Sequence, residues 1–503
     1  MYDDWSGGEF GNVAPSRAPK GTWTGTNMLV YRDGTIGPRP GLKKIPLTGT
    51  PDGVLQGLGF VPTPSTSDPA MWFIIGDTVY GFRADGPPLA VSTIGTLNDP
   101  IPDGEFVWWK ETTRQLYGLT YFVTPQGEGY KMNIKAPSVT ALVNADGTDD
   151  GMGGVTGGKD IETYKERLCY ADGSGVSTRV WFSDPADYDT WLDENYFDVG
   201  ASWPVGQLVE YRDGLCIFTN SGQWLLTGAL PNATLRRVSD VLPSIMRTIV
   251  RTNDEILFIP AARSAPVKYT GAEGDEVALR HLETWKFATS DATGTTVYGN
   301  RDVLFLSDDS EMLWRSSDIW SKHEFSVPVG PYITRYFNQN AILTDGGAAE
   351  DPANFYILQM ELTRPAFVSD DFASPGDDST TPVAASLRLP DYFAESGEEV
   401  RVRSVIVDYI KYDTGASSTN HMDLLIEGQA RFRMAGTGGS TATDSWDEAG
   451  TSATTSGVRD RWVANVGQSS YHGGFRLTLD NLRGVKIDRI LVDIETMPNR
   501  PRS

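Results

Sequence analysis

Histidine and cysteine are scarce in this chain, numbering four and two among 503 residues. Cys169 and Cys216 are too few for a disulfide framework at this length. Both sit in apolar, strand-like runs, which points to buried free thiols. His281, His323, His421 and His472 are far apart and none has the close spacing of a metal motif, so they read as surface or interface residues. No Walker loop, no G-x-S-x-G elbow between strand and helix, and no twelve-residue EF-hand spacing occurs. The glycine-rich "GMGGVTGG" lacks the lysine and following helix of a phosphate cradle and reads as a loop. No catalytic residue, metal or cofactor is expected.

Positive charge is also short, with 43 Lys and Arg against 66 Asp and Glu, a net of −23. A protein that grips the outside of DNA needs a basic stripe to displace counterions, and this composition argues against one. No run approaches the ~18–20 apolar residues of a membrane span. The opening "MYDDWSGGEF" has neither a basic nor an apolar signal region, which predicts synthesis in a cytoplasm without a visible export signal. Helix-period stretches are few; the best, Asp184 to Tyr196, predicts one short helix within a loop.

What the chain has in quantity is 53 Gly, 30 Pro and an aromatic fraction of 11%. That mixture suits many short strands joined by tight turns. The stretch "LVEYRDGLCIFTNSGQWLLTG", Leu208 to Gly228, alternates apolar and polar residues, turns at Asn220-Ser221-Gly222 and alternates again, the signature of a β-hairpin. Similar units start at Met71, Arg114, Glu166, Asp254, Arg301 and Gln339, with turn centres about 40–47 residues apart, in the range of propeller blades. A lone hairpin has too little core to stand in water, so neighbouring blades must complete it.

The expected fold is therefore all-β, a β-propeller of six or seven blades with a C-terminal antiparallel β-sandwich. Residues 1–53 form an N-terminal segment with a closing strand or hairpin, and 54–366 the propeller. Residues 367–390, rich in Asp, Ser and Pro, read as a linker. The longer alternating strands of 391–503 read as the sandwich. The polar insert 435–457 reads as mobile.

Because propellers host glycosidases, paired acids matter. "SDDSEMLW", Ser307 to Trp314, approximates the sialidase turn Ser-x-Asp-x-Gly-x-x-Trp, with Glu311 in place of Gly. That turn is structural, and only one near copy occurs. Asp308-Asp309 and Asp377-Asp378 read as solvated turn residues. A carbohydrate-binding or glycan-hydrolysing propeller acting on host surface glycans is the alternative reading, and a protein-binding scaffold propeller a further one.

The most specific stretch is "GGEFGNVAPSRAPKGTWTGTNMLVYRDGTIGPRPGLKKI", Gly7 to Ile45. Its Asn27, Asp33-Gly34 and Arg39-Pro40-Gly41 resemble the opening of tail-nozzle and packaged-DNA-stabilisation proteins of tailed bacteriophages. There, "Asn … Asp-Gly … Arg-Pro-Gly" precedes a β-propeller. "YKERLCYADGSGVSTRVWFSDPADYDTW", with Arg167, Trp181 and Trp191, resembles a later blade of that family, and the hairpin bearing Trp224 resembles the next. The resemblance covers about Gly7 to Glu361. It implies a structural virion protein of the phage tail, assembled in the host cytoplasm. A ring of copies, six by analogy, would form a nozzle or distal connector around double-stranded DNA. It also implies contacts with a head-to-tail adaptor or connector and with tail fibres or spikes.

Residue chemistry assigns these positions structural roles. Gly34 and Gly41 suit turns that need positive φ or close backbone approach. Arg39, held extended before Pro40, is placed to bond a carbonyl or carboxylate. Trp181, Trp191 and Trp224 suit blade packing more than ligand platforms.

Overall fold

The computed structural model describes residues 8–9, 22–31, 33–44, 47–49, 51, 53–60, 71–82, 89–102, 107–111, 119–125, 129–134, 136–142, 158–172, 178–185, 187–192, 194–200, 205–239, 246–260, 266–269, 292–297, 301–306, 311–316, 319–325, 329–336, 340–345, 357–361, 385–390, 392–393, 399–411, 419–428, 441–449, 458–464, 469–472 and 474–497. Within them the chain is β-structure with a single 3-10 turn at Met246–Thr248.

Seven small antiparallel sheets follow one another and make a β-propeller. Blade 1 comprises Leu55–Phe60, Met71–Ile75, Thr78–Phe82 and Ser92–Thr96. Blade 2 begins at Trp108–Glu111, blade 3 at Gly158–Tyr164 and blade 4 at Val205–Tyr211. Blades 5, 6 and 7 begin at Val250–Arg251, Thr293–Val297 and Val329–Tyr336. Three strands of blade 5 lie among the described residues. The seventh blade takes its fourth strand from the other end of the chain: Leu42–Lys44 pairs antiparallel with Ile357–Glu361, Met360 opposite Leu42. Ring closure therefore needs residues more than three hundred positions apart in sequence.

The hairpin at 208–228 is as its pattern predicts. Gly214–Thr219 and Gly222–Thr227 pair around Asn220-Ser221, and the Thr219 hydroxyl donates to the Gly222 carbonyl at 2.9 Å. Side chains alternate faces along each strand, so every blade presents one apolar face to each neighbour. The propeller core is a series of wedges. Trp72 and Ile74 meet Phe122 and Tyr130 between blades 1 and 2, and Val209 and Phe218 meet Ile256 and Phe258 between blades 4 and 5. Tyrosines reinforce two of these seams. Tyr164 donates to the Gly228 carbonyl at 2.6 Å, and Tyr211 donates to the Asp254 carbonyl. Cys169 and Cys216 are buried free thiols, as expected, and burial pushes the Cys216 thiol up to about 12.

One seam carries a buried charge. The Glu255 side chain is 3% exposed, with Lys268 Nζ of its own blade 2.5 Å away and an ion pair to Arg315 of blade 6. Removing one partner of a buried pair leaves uncompensated charge. Glu255→Ala is expected to lower stability by about 3 kcal/mol, read as a shift in the urea midpoint. A loss below about 1 kcal/mol would make the pair an ordinary surface bridge.

Asp184 to Tyr196 is not the short helix its spacing predicts. Its described residues form turns and an isolated bridge between Asp184 and Asp187, followed by the strand Tyr196–Asp198. Side-chain bonds compete with the helix: Asp187 accepts from the Asp189 amide at 3.1 Å and the Thr190 hydroxyl at 2.8 Å, as Asx turns do.

The sandwich has a seven-stranded and a six-stranded sheet, and both include N-terminal strands. Thr22–Thr26 pairs with Ala385–Arg388, and the hairpin Met28–Val30/Ile36–Pro38 joins Val485–Met497 through Ile36 and Ile487. Two boundaries drawn from sequence therefore move. Ala385–Arg388 lies inside the stretch read as a linker yet is a sandwich strand, and the 391–503 unit is incomplete without residues 22–38. The sandwich core shows the same dependence. Trp23, Met28, Val30 and Ile36 pack with Val400, Val405, Leu424, Leu477 and Ile490.

Candidate functional site

The residues singled out at the N-terminus meet where the sandwich touches the propeller. Two short strands and the link between them position the group. Asn27, at φ +55°, ends Thr22–Thr26 and starts the next strand. Asparagine tolerates this left-handed conformation better than most residues. The turn of the following hairpin holds Gly34 at φ +82°, and the Gly34 amide donates to the Tyr31 carbonyl at 2.9 Å. Asp33 caps that turn by accepting from the Thr35 amide at 3.1 Å and the Thr35 hydroxyl at 2.6 Å.

Arg39 is fully buried. Its Nε donates to Asn27 Oδ1 at 3.1 Å, Nη1 to the Pro40 carbonyl at 2.8 Å and Nη2 to the Glu324 carbonyl at 2.9 Å. The guanidinium lies over the Phe325 ring, 4.4 Å from its centroid. Asn27 Oδ1 also accepts the Glu324 amide at 3.1 Å. One arginine and one asparagine thus clamp the end of the last blade-6 strand, Ile319–Glu324, to the first sandwich strands. Gly41 is buried just before the ring-closing strand.

On the far side of the hairpin Lys486 takes the matching position. Its ammonium is 3.4 Å from Asp33 Oδ2 and 3.8 Å from the centre of the Tyr31 ring. Burial lowers its pKa against the opposing pull of Asp33. At Asp33 burial acts to raise the carboxyl, but the Thr35 hydroxyl and Lys486 outweigh it and hold it below its usual value. Tyr31 and Leu29 face the propeller, packed with Val297, Leu304 and Trp314.

His323 lies beneath this junction with no exposed surface. Its Nε2 is 2.8 Å from the Ser321 hydroxyl, its ring stands edge-on to Trp314, and Nδ1 has no hydrogen-bond partner among the described residues. Burial, with Arg39 adding to it, drives its pKa well below 6.5. The folded protein keeps this ring neutral while the unfolded chain protonates it near pH 6.5. Its stabilisation is thus complete above about pH 6.5 and is lost as pH falls below that toward the folded value. Stability is expected to drop between about pH 6.5 and 5 by up to ~1.4 kcal/mol per unit. His323→Gln should flatten that slope in urea melts; an unchanged slope would assign the pH response elsewhere.

The other four singled-out residues lie apart, in blades 3 and 4. Arg167 donates to the Ser183 carbonyl at 2.5 Å and stacks on Phe182. Trp181 and Trp191 are buried between blades 2 and 3, and Trp224 packs against the core between blades 3 and 4. The sequence motif missed Phe325, Lys486 and the role of His323; neither "SKHEFSV", Ser321 to Val327, nor "GVKIDR", Gly484 to Arg489, offers a spacing that would have marked them.

Chemically the junction is a coupling device, with donors satisfied by backbone and the carboxamide. Among the described residues no group of three or more His, Cys, Asp or Glu could hold a metal ion. No helix is long and apolar enough to cross a membrane among the described residues.

These blades, arranged in a ring and closed by a strand from the other terminus, define the larger part of the chain as a β-propeller. No family model matches the chain, and no curated protein matches it. Among solved structures it is similar to BamB from Moraxella catarrhalis, at 12% identity and a TM-score of 0.40, over 67% of this chain and 94% of that one. It is similar to Raptor from Chaetomium thermophilum at 11% identity and a TM-score of 0.43, over 64% of this chain and 28% of that one. It is also similar to the WD40 β-propeller domain of Doa1 at 9% identity and a TM-score of 0.42, over 64% and 97%.

Proposed function

We propose that this protein is a structural component of a phage tail. Several copies would form a ring-shaped nozzle or distal connector around the channel through which DNA leaves the capsid. The observation that carries the reading is where the N-terminal pattern falls. Of the residues that resemble the opening of nozzle proteins, Asn27 and Arg39 tie the propeller to the sandwich, and Asp33 and Gly34 shape the hairpin turn between them. A motif with that task has a physical reason to keep its spacing. The net charge of −23 supports the same reading, because a carboxylate-rich wall lets DNA slide where a basic wall would hold it.

In this role the protein does no chemistry. Its neighbours are other copies of itself, an adaptor or connector on one side and fibres or spikes on the other. The test is its mass by light scattering and its outline by negative-stain imaging, alone and with connector protein. A ring with an axial hole is the expected result. A monomer that ignores connector protein and binds a glycan array would replace this reading with the carbohydrate-binding one.

A further inference from the structure

The outer face of the six-stranded sheet combines features that the fold does not need. Val485–Met497, Glu399–Lys411 and Val458–Ala464 lie side by side there. Their register sets Arg489, Asp408 and Arg461 in one row, and Leu491, Ile406 and Val463 in the neighbouring row. The inward residues of the same strands, Val405, Val407, Ile490 and Trp462 among them, fill the sandwich core, so both rows point away from it.

Asp408 accepts hydrogen bonds from both arginines, from Arg461 Nε at 2.6 Å and from Arg489 Nε. The Arg461 hydrogen bond leads the effects that hold its carboxyl below the usual range. Toward the other end of the face Glu495 is shared in the same way, 2.9 Å from Arg403 and 4.0 Å from Arg401. Twice, then, one carboxylate serves two guanidiniums. The arginines remain open to an incoming group, with Arg461 53%, Arg489 41% and Arg403 55% exposed. Beside them Val463 is 46% exposed, one of two large hydrophobic residues so exposed among the described residues.

Exposed ion pairs add little to folding stability, about 0–1 kcal/mol each, and an exposed valine adds nothing. At an interface the same features count. Arginine and apolar side chains concentrate binding energy, and guanidiniums already fixed by a carboxylate lose less freedom on docking. Donors left open by a shared carboxylate match a surface rich in Asp and Glu. The chain supplies such a surface itself, with 66 acidic residues against 43 basic. Two copies of net charge −23 repel each other over most orientations, and this face is one that relieves the repulsion.

We propose that the outer face of Val485–Met497, Glu399–Lys411 and Val458–Ala464 docks the acidic surface of a second copy of this chain, Asp408 and Glu495 holding the arginines ready and Val463 seated at the contact. The contact is heterologous, one face of a copy against a different face of the next, which generates a ring when the rotation closes. It rests on the proposed ring and names the surface that would build it.

The test uses the full chain. Arg461→Glu with Arg489→Glu, and separately Val463→Glu, are compared with wild type by light scattering over a range of concentrations. All three side chains are at the surface, and a thermal melt near that of wild type shows that each variant folds. Wild type is expected to assemble, with both variants needing about tenfold or more higher concentration. If wild type and folded variants assemble at the same concentration, this surface is wrong and the ring stands. If wild type stays monomeric at every concentration, alone and with connector protein, the contact and the ring both fall. If wild type stays monomeric yet binds connector protein through a face the variants lose, the occupant is not a second copy and the proposal fails.

Discussion

Arg39→Leu is expected to cost about 3–5 kcal/mol, enough to remove much of the ~5–15 kcal/mol that a folded domain holds. The leucine would leave the buried Pro40 carbonyl and the part-buried Glu324 carbonyl without their donor, and Asn27 Oδ1 would lose one of its two. Each unsatisfied buried group costs about 1–3 kcal/mol. Phe325 would also lose the planar cation over its ring, a contact worth about 1–2 kcal/mol when desolvated. Arg39→Lys should recover only part of the loss, because an ammonium has no flat fork to reach three acceptors in different directions. The pattern of unfolding matters as much as the size. Arg39 and Asn27 hold the end of blade 6 to the sandwich, so calorimetry of Arg39→Leu should split a shared transition into two. A single transition at the wild-type temperature would show that the junction carries no energy.

The parts legible in the sequence were local. Hairpins announce themselves through period-two alternation and turn residues, as Leu208 to Gly228 does, and a repeat of such units predicts blades. The left-handed glycine at the Asp33-Gly34 turn was legible for the same reason, since it depends on a few adjacent residues. What stayed hidden depends on distant pairing. Thr24 lies opposite Arg388 and Ile36 opposite Ile487, and nothing in either partner's own stretch names the other. The sandwich therefore read as a C-terminal unit when its sheets need N-terminal strands. At the junction Arg39 was readable as an arginine placed to bond a carbonyl or carboxylate, but one of its acceptors, the Glu324 carbonyl, is 285 positions away. His323 looked like one more lone histidine because the Trp314 ring that stands against it and the Arg39 charge that acts on it lie outside its own stretch. The helix expected between Asp184 and Tyr196 failed locally, where aspartate side chains took the amide and hydroxyl donors of the turn.

Removing residues 1–44 is expected to abolish folding of both the propeller and the sandwich. The loss is larger than the length suggests because this stretch serves two cores. Trp23, Met28, Val30 and Ile36 belong to the sandwich core, while Leu29, Tyr31 and Leu42 pack against blades 6 and 7. Burying such side chains contributes about 1.5–3 kcal/mol apiece, so losing all seven, about 10–20 kcal/mol, is as large as the whole ~5–15 kcal/mol stability of a typical domain. Backbone pairing is lost as well. Blade 7 would end at Ile357–Glu361 with an unpaired edge where Leu42–Lys44 had closed the ring, and Ala385–Arg388 would lose Thr22–Thr26. Open edges of that kind pair with other chains and aggregate. Soluble yield, far-UV circular dichroism and a melting transition of residues 45–503 test this directly. A soluble fragment that melts cooperatively would mean that the propeller closes by other contacts. Adding a peptide of residues 22–44 during refolding separates the two effects. Recovery of soluble, cooperatively melting protein would show that the missing strands, and not a folding step that needs the intact chain, are what both modules lack.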